Sequence, residues 1–186
     1  MVDPKRIVIG GGVRSGKSAF ALSLARQLGA RRAFVATAQG IDADMRARIA
    51  RHQEDRGTEF VTFEAPLELE ATLRCLTDVD VAVIDCLTVW LANLLVHGVE
   101  EAAIATRVDA LAALLTEVPF HVVIVTNEVG MGVHPETALG RTFRDVVGRA
   151  HQRLARVADE IYFAALGVIL RLQPAPLALQ PFAEPI

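Results

Sequence analysis

Residues 11–18 read Gly-Gly-Val-Arg-Ser-Gly-Lys-Ser and fill every fixed position of the pattern G-x-x-x-x-G-K-[ST]. The β-branched run Arg6–Ile9 before them suits a buried strand. Ser18–Leu28 after them holds Phe20, Leu22, Leu24, Ala25 and Leu28 without Gly or Pro, as a helix requires. Strand, glycine-rich turn and helix form the context of a phosphate-binding loop. Gly11, Gly12 and Gly16 free the backbone between Val13, Arg14 and Ser15 to turn successive N–H groups toward phosphate oxygens. The first helical turn adds unpaired N–H groups and the positive end of the dipole. Lys17 is expected to reach the β- and γ-phosphates and the Ser18 hydroxyl to ligate Mg²⁺. The alternative is a chance glycine turn before a helix, which the surrounding strand and helix disfavour. The expectation is a site for ATP or GTP.

Strand and helix patterns alternate through the rest of the chain. Strands are expected over Arg32–Ala36, Glu59–Phe63, Val79–Ile84, Phe120–Thr126, Glu160–Ala164 and Val168–Leu172. Helices are expected from Asp42 to Asp55, with Asp42 as N-cap, and from Pro66 to Leu76. Further helices are expected over Leu87–Val96, Glu100–Leu115 and Glu136–Ala158. The pattern predicts one P-loop α/β domain over residues 1–172, a mostly parallel β-sheet with helices on both faces. Residues 173–186 hold four of the eight prolines and read as a tail that wraps the surface or lacks order.

A hydrophobic fraction of 52% over 186 residues fits a filled core. A net charge of −3 without a basic run gives no case for nucleic acid. Val81–Val96 is broken by Asp85, Thr88 and Asn93, so it does not read as a membrane span. The N-terminus runs directly into the first strand without signal-peptide character, and the expected location is the cytoplasm. Cys75 and Cys86 form no C-x-x-C pair and read as buried reduced thiols.

Ligands of such sheets gather beyond the C-terminal strand ends, which selects Thr37, Asp85 and Asn127-Glu128 beside the loop. Asp85 is placed as an Mg²⁺ ligand, as the N-cap of the helix starting near Leu87, or as both. The segment from Val129 to Glu136 reads as a mobile substrate loop or as an ordinary connection. Arg141 and Arg144 face phosphates or solvent, and Asp145 is expected to pair with Arg141 or Arg149. His52 shares a stripe with Met45 and Ile49, so packing is its plain reading; His97, His121, His134 and His151 are no more distinctive.

Taken together, residues 11–18, 36–38, 44–52, 84–95, 126–136 and 141–149 resemble the bifunctional adenosylcobinamide kinase/adenosylcobinamide-phosphate guanylyltransferase family of cobalamin biosynthesis. The matching stretches include Asp-Met-Arg-Ala-Arg-Ile-Ala-Arg-His (44–52) and Thr-Asn-Glu-Val-Gly-Met-Gly-Val-His-Pro-Glu (126–136). The phosphate loop is generic, whereas 84–95 and 126–149 are specific. The resemblance implies that His52 is the nucleophile of guanylyl transfer, with Lys17 serving the kinase step. It implies nucleotide contacts from Ala36, Thr37, Ala38, Gln53, Glu54, Asp55, Arg56, Glu64 and Asp85, a corrinoid substrate, and a homotrimer. His134 departs from the smaller aliphatic residue many members carry, and the tail is longer than the family's pattern.

Three other readings arise on the residues, among them a catalytically silent nucleotide-binding subunit, against which stand Lys17, Ser18, Asp85 and His52 together. Another is a P-loop kinase for another small molecule, without a covalent intermediate. The third is a GTP-binding switch; against it, Asn127-Glu128-Val129-Gly130 is not N-K-x-D and Asp85 starts no D-x-x-G.

Overall fold

The computed structural model describes residues 3–40, 53, 57–174 and 177–178. The strands are β1 (Arg6–Gly11), β2 (Arg32–Ala36), β3 (Phe60–Glu64), β4 (Val81–Asp85), β5 (His121–Val125), β6 (Glu160–Ala165), β7 (Val168–Gln173) and β8 (Leu177–Ala178). The helices are α1 (Lys17–Leu28), α2 (Leu69–Cys75), α3 (Leu87–Val96), α4 (Glu101–Glu117) and α5 (Ala138–Ala155). Among the described residues the strands form one sheet in the order β3-β2-β4-β5-β1-β6-β7-β8. Pairing is parallel from β3 through β6 and antiparallel from β6 to β8.

The central strands are apolar on both sides because both faces are covered. Side chains alternate between faces, so one side collects Val8, Val35, Ile84, Val122 and Ile124 with residues of α2 to α5. The other collects Ile9, Val83, Val123 and Val125 under α1. Ala21 and Ala25 are fully buried and let α1 lie close to β4 and β5. Trp90 is fully buried on α3, donates Nε1–H to the Leu67 carbonyl at 2.9 Å and lies under the Arg107 guanidinium.

The segment Pro66–Glu68 is a turn, and the helix expected from Pro66 begins at Leu69. The Pro66 and Leu67 carbonyls accept from Asn93, Trp90 and Arg107 side chains, which takes them out of a helical ladder. The long helix begins at Ala138, capped by the Thr137 hydroxyl on Gly140 N–H at 3.1 Å. The sheet also runs past residue 172: Gln173 pairs with Ile161, and Leu177–Ala178 add β8 beside β7. The expected tail therefore begins within the sheet. Cys86 is buried as expected, whereas Cys75, in the last turn of α2, is exposed.

Asp145 does not pair at i±4. It lies 3.6 Å from Arg144, while Arg141 donates to the Pro135 and Glu136 carbonyls and Arg149 reaches Glu101 on α4. Carbonyls and a neighbouring helix outcompete a weak surface pair on α5. Among the described residues no helix is long and apolar enough to cross a membrane.

Candidate active site

The loop between β1 and α1 is built from unusual backbone. Gly11 has φ 153°, Arg14 φ 55° and Gly16 φ 90°, so left-handed residues interrupt the turn, as a concave row of N–H groups requires. A Cβ on Gly11 would stand 2.4 Å from the Ala164 carbonyl oxygen and 2.9 Å from Ser15 Oγ, which reserves this position for glycine. Gly12, Val13, Arg14 and Gly16 are exposed, Ser18 is half-buried, and Ser15 and Lys17 are buried. Lys17 Nζ donates to the Gly12 carbonyl at 2.8 Å, folding the cation over its own loop. Ser15 Oγ is buried and has no hydrogen-bond partner among the described residues. Such an orphaned hydroxyl under a glycine-rich loop fits a donor awaiting an anionic oxygen.

The strand ends line up beside this loop. Register pairs Glu64 with Ala36, Ala36 with Asp85, Asp85 with Val125, and Val125 with Ile9. The row Glu64, Ala36, Asp85 and the start of the phosphate loop therefore runs along one edge of the sheet. Asp85 follows Val83 by two residues and so faces the α1 side, the side of the loop. Cys86, not Asp85, takes the N-cap position of α3, and no side chain caps that helix. The Asp85 carboxylate thus has no capping role on α3. Glu64 is exposed, and Ala38 is half-buried just beyond β2.

Thr37 is fully buried. Its hydroxyl accepts from Cys86 N–H and donates to the Cys86 carbonyl, each at 2.8 Å. Both polar functions of this side chain thus hold the residue that follows Asp85. Burial, helped by the neighbouring Asp85 carboxylate, pushes the Cys86 thiol up to about 11, so it stays protonated at neutral pH.

A second polar set runs behind the strand ends. Asn127 N–H donates to Thr88 Oγ1 at 2.6 Å, Thr88 Oγ1 lies 3.1 Å from Thr126 Oγ1, and Thr126 Oγ1 lies 2.8 Å from His151 Nε2. His151 Nδ1 faces Glu128 Oε2 at 3.7 Å. Burial lowers the His151 pKa, with Glu128 opposing, and keeps a neutral ring able to accept from Thr126. Glu128 N–H in turn donates to the Gly11 carbonyl at 3.0 Å, tying the end of β5 to the phosphate loop. Sequence reasoning passed over Thr88, Thr126 and His151. Two threonines inside apolar runs were the available sign of a buried hydroxyl pair.

The donor set suits magnesium: a hydroxyl at Ser18 and a carboxylate at Asp85, both hard oxygen ligands beside a phosphate cradle. No group of three or more His, Cys, Asp or Glu that could hold a metal occurs among the described residues, so phosphate oxygens and water would complete the shell. Gln53 is helical and exposed. The expected sites His52, Glu54, Asp55 and Arg56 lie outside the described residues.

Comparison with known proteins agrees with this geometry. The solved structure of the RadB recombinase covers 95% of this chain and 86% of its own, with a TM-score of 0.52 at 15% identity, which supports the fold. The bifunctional adenosylcobalamin biosynthesis protein CobP of Pseudomonas aeruginosa is 39% identical over 92% of this chain and 99% of its own length. CobU of Salmonella typhimurium, described in the same words, is 36% identical over 90% and 99%. A family model described as cobinamide kinase / cobinamide phosphate guanyltransferase matches residues 7–172. This chain belongs to that family.

Proposed function

We propose that this chain catalyses two successive phosphorus transfers on adenosylcobinamide at the phosphate loop described above. In the first, the side-arm hydroxyl of the corrinoid attacks the γ-phosphorus of ATP or GTP. The bond to the β–γ bridging oxygen breaks, a nucleoside diphosphate leaves, and the hydroxyl proton passes to solvent or a neighbouring base. Lys17 is suited to follow the phosphoryl group, because the Gly12 carbonyl it holds is a replaceable partner. The Ser18 hydroxyl and the Asp85 carboxylate would hold Mg²⁺ against the phosphate oxygens, where its charge offsets that of the triphosphate.

In the second transfer, a neutral imidazole nitrogen of His52 attacks the α-phosphorus of GTP and pyrophosphate leaves. The corrinoid phosphate then attacks the guanylyl-histidine, releasing adenosylcobinamide-GDP and restoring the imidazole. Dividing one transfer into two displacements lets each proceed with a positioned nucleophile. Ala36, Thr37, Ala38, Gln53, Glu54, Asp55, Arg56, Glu64 and Asp85 are the assigned nucleotide contacts. Ala36, Asp85 and Glu64 share the strand-end row, and the Thr37 hydroxyl is taken up by the Cys86 backbone beside them. The enzyme is assigned to the cytoplasm, as a homotrimer.

The observation that carries the reading is the buried Lys17 and the orphaned Ser15 hydroxyl beneath the glycine loop, which β1 delivers two strands from Asp85. Incubation with adenosylcobinamide, GTP and Mg²⁺ followed by mass analysis tests it. Adenosylcobinamide phosphate and then adenosylcobinamide-GDP are expected. Recovery of unaltered corrinoid contradicts the proposal.

A further inference from the structure

We propose that the Asn127 side-chain amide contacts the γ-phosphoryl group of the bound nucleoside triphosphate, making the tip of β5 the element that distinguishes a triphosphate from a diphosphate. The inference rests on the phosphate-loop reading above and assigns a further substrate-contacting residue to it.

The topology requires something at this place. β5 lies between β1, which delivers the phosphate loop, and β4, which delivers Asp85. A phosphoryl group reaching from the loop toward the Asp85 carboxylate passes over the tip of the strand between them. Asn127 follows Val125 by two residues, and Val125 packs on the α1 side, so the Asn127 side chain turns to the side of the loop. Its contact confirms the direction: Nδ2 lies 3.7 Å from Cys86 Sγ, on the strand end that carries Asp85.

The amide is also incompletely satisfied. Oδ1 is buried without a hydrogen-bond partner among the described residues, as is Ser15 Oγ under the loop. The two ends of an amide exchange by a simple turn about the last side-chain bond. Turned over, the thiol donates to Oδ1 and the amide NH₂ takes the buried position, as a donor suited to a phosphate oxygen. In either orientation one end of Asn127 lacks a partner among the described residues, and such groups are retained where a ligand completes them.

The position is held firmly, as a contact that senses one phosphoryl group must be. Asn127 N–H is fixed by Thr88 Oγ1 at 2.6 Å, which is backed by Thr126 and His151. The next residue is tied through Glu128 N–H to the Gly11 carbonyl. The backbone that carries the amide is therefore tied to the loop it faces.

Calorimetric titration with guanosine β,γ-imidotriphosphate and with GDP, each with Mg²⁺, tests the assignment in wild type, Asn127→Ala and Asn127→Asp. Hydrogen bonds to charged groups are the strong ones, so the alanine variant is expected to lose about tenfold in triphosphate affinity. GDP affinity should change less than about twofold. The aspartate variant keeps the size but places a carboxylate at the phosphate, and should lose more, with a melting curve showing that it folds. Retained preference for the triphosphate in both variants overturns the assignment while leaving the phosphate-loop reading intact. Equal loss of both nucleotides also overturns it. If wild type binds neither nucleotide, the phosphate-loop reading fails and the assignment fails with it.

Discussion

Lys17 Nζ donates to the Gly12 carbonyl at 2.8 Å, so the cation of the phosphate loop rests on the backbone of that same loop. Its side chain is buried, and phosphate oxygens would replace the carbonyl as its partner. Lys17→Ala is expected to lower the rates of both corrinoid steps by about two to three orders of magnitude, the range for removing one well-placed charge-stabilising donor. The check is single-turnover kinetics for each step, alongside a melting curve showing that the variant folds. Unchanged rates would remove Lys17 from the mechanism.

Gly11 and Gly12 are adjacent and physically different. A Cβ at Gly11 meets the Ala164 carbonyl at 2.4 Å with φ 153°, whereas a Cβ at Gly12 meets nothing within 4 Å. Gly11→Ala is expected to cost about 2 kcal/mol, a Tm drop of about 4–8 °C for a chain of this length. Gly12→Ala should stay within about 0.5 kcal/mol. Thermal unfolding of both variants measures the contrast, and equal Tm values would show that the loop relaxes around the methyl group.

The phosphate loop was legible because its chemistry is contiguous: eight residues carry the turn, the cation and the hydroxyl. Asp85 was legible because a charge ends an apolar run. What the chain order hides is adjacency. β5 follows β4 through two helices, α3 and α4, yet inserts between β4 and β1, and only that places Asn127 beside the loop. His151 looked like any helical histidine until α5 was packed, when its ring met Thr126 on one side and Glu128 on the other. Pro66 misled for the converse reason: a residue fit to start a helix lies where side chains from α3 and α4 take the carbonyls.

His151 and His121 each accept a hydrogen bond as neutral rings, His151 from Thr126 and His121 Nδ1 from Lys5 N–H. Burial lowers both pKa values from the ordinary 6.5, so the unfolded chain binds more protons in the window just below it. Their stabilisation is thus complete above pH 6.5 and is lost as pH falls toward the folded-state values, at no more than about 1.4 kcal/mol per pH unit for each ring. His151→Gln keeps an acceptor for Thr126 but cannot titrate, and should flatten the decline. Urea unfolding at pH 7.5 and pH 5.5 checks this; an unaltered slope would show that His151 does not contribute.

Asp85 faces the loop without capping α3, so its removal should touch chemistry more than stability. Asp85→Asn is expected to raise the Mg²⁺ concentration for half-maximal kinase rate by about tenfold or more, with Tm changed by no more than a few degrees. A magnesium titration of the initial rate decides it. An unshifted midpoint would place the metal elsewhere.

As proposed above, one phosphate-loop site serves both a phosphoryl transfer and a guanylyl transfer through His52. Incubation with GTP labelled at the α-phosphorus, followed by denaturation, tests it most directly. The expected result is a covalent label that acid removes and base does not, absent in His52→Ala. A wild-type protein that turns over the corrinoid while retaining no such label, or a label undiminished in His52→Ala, would contradict it.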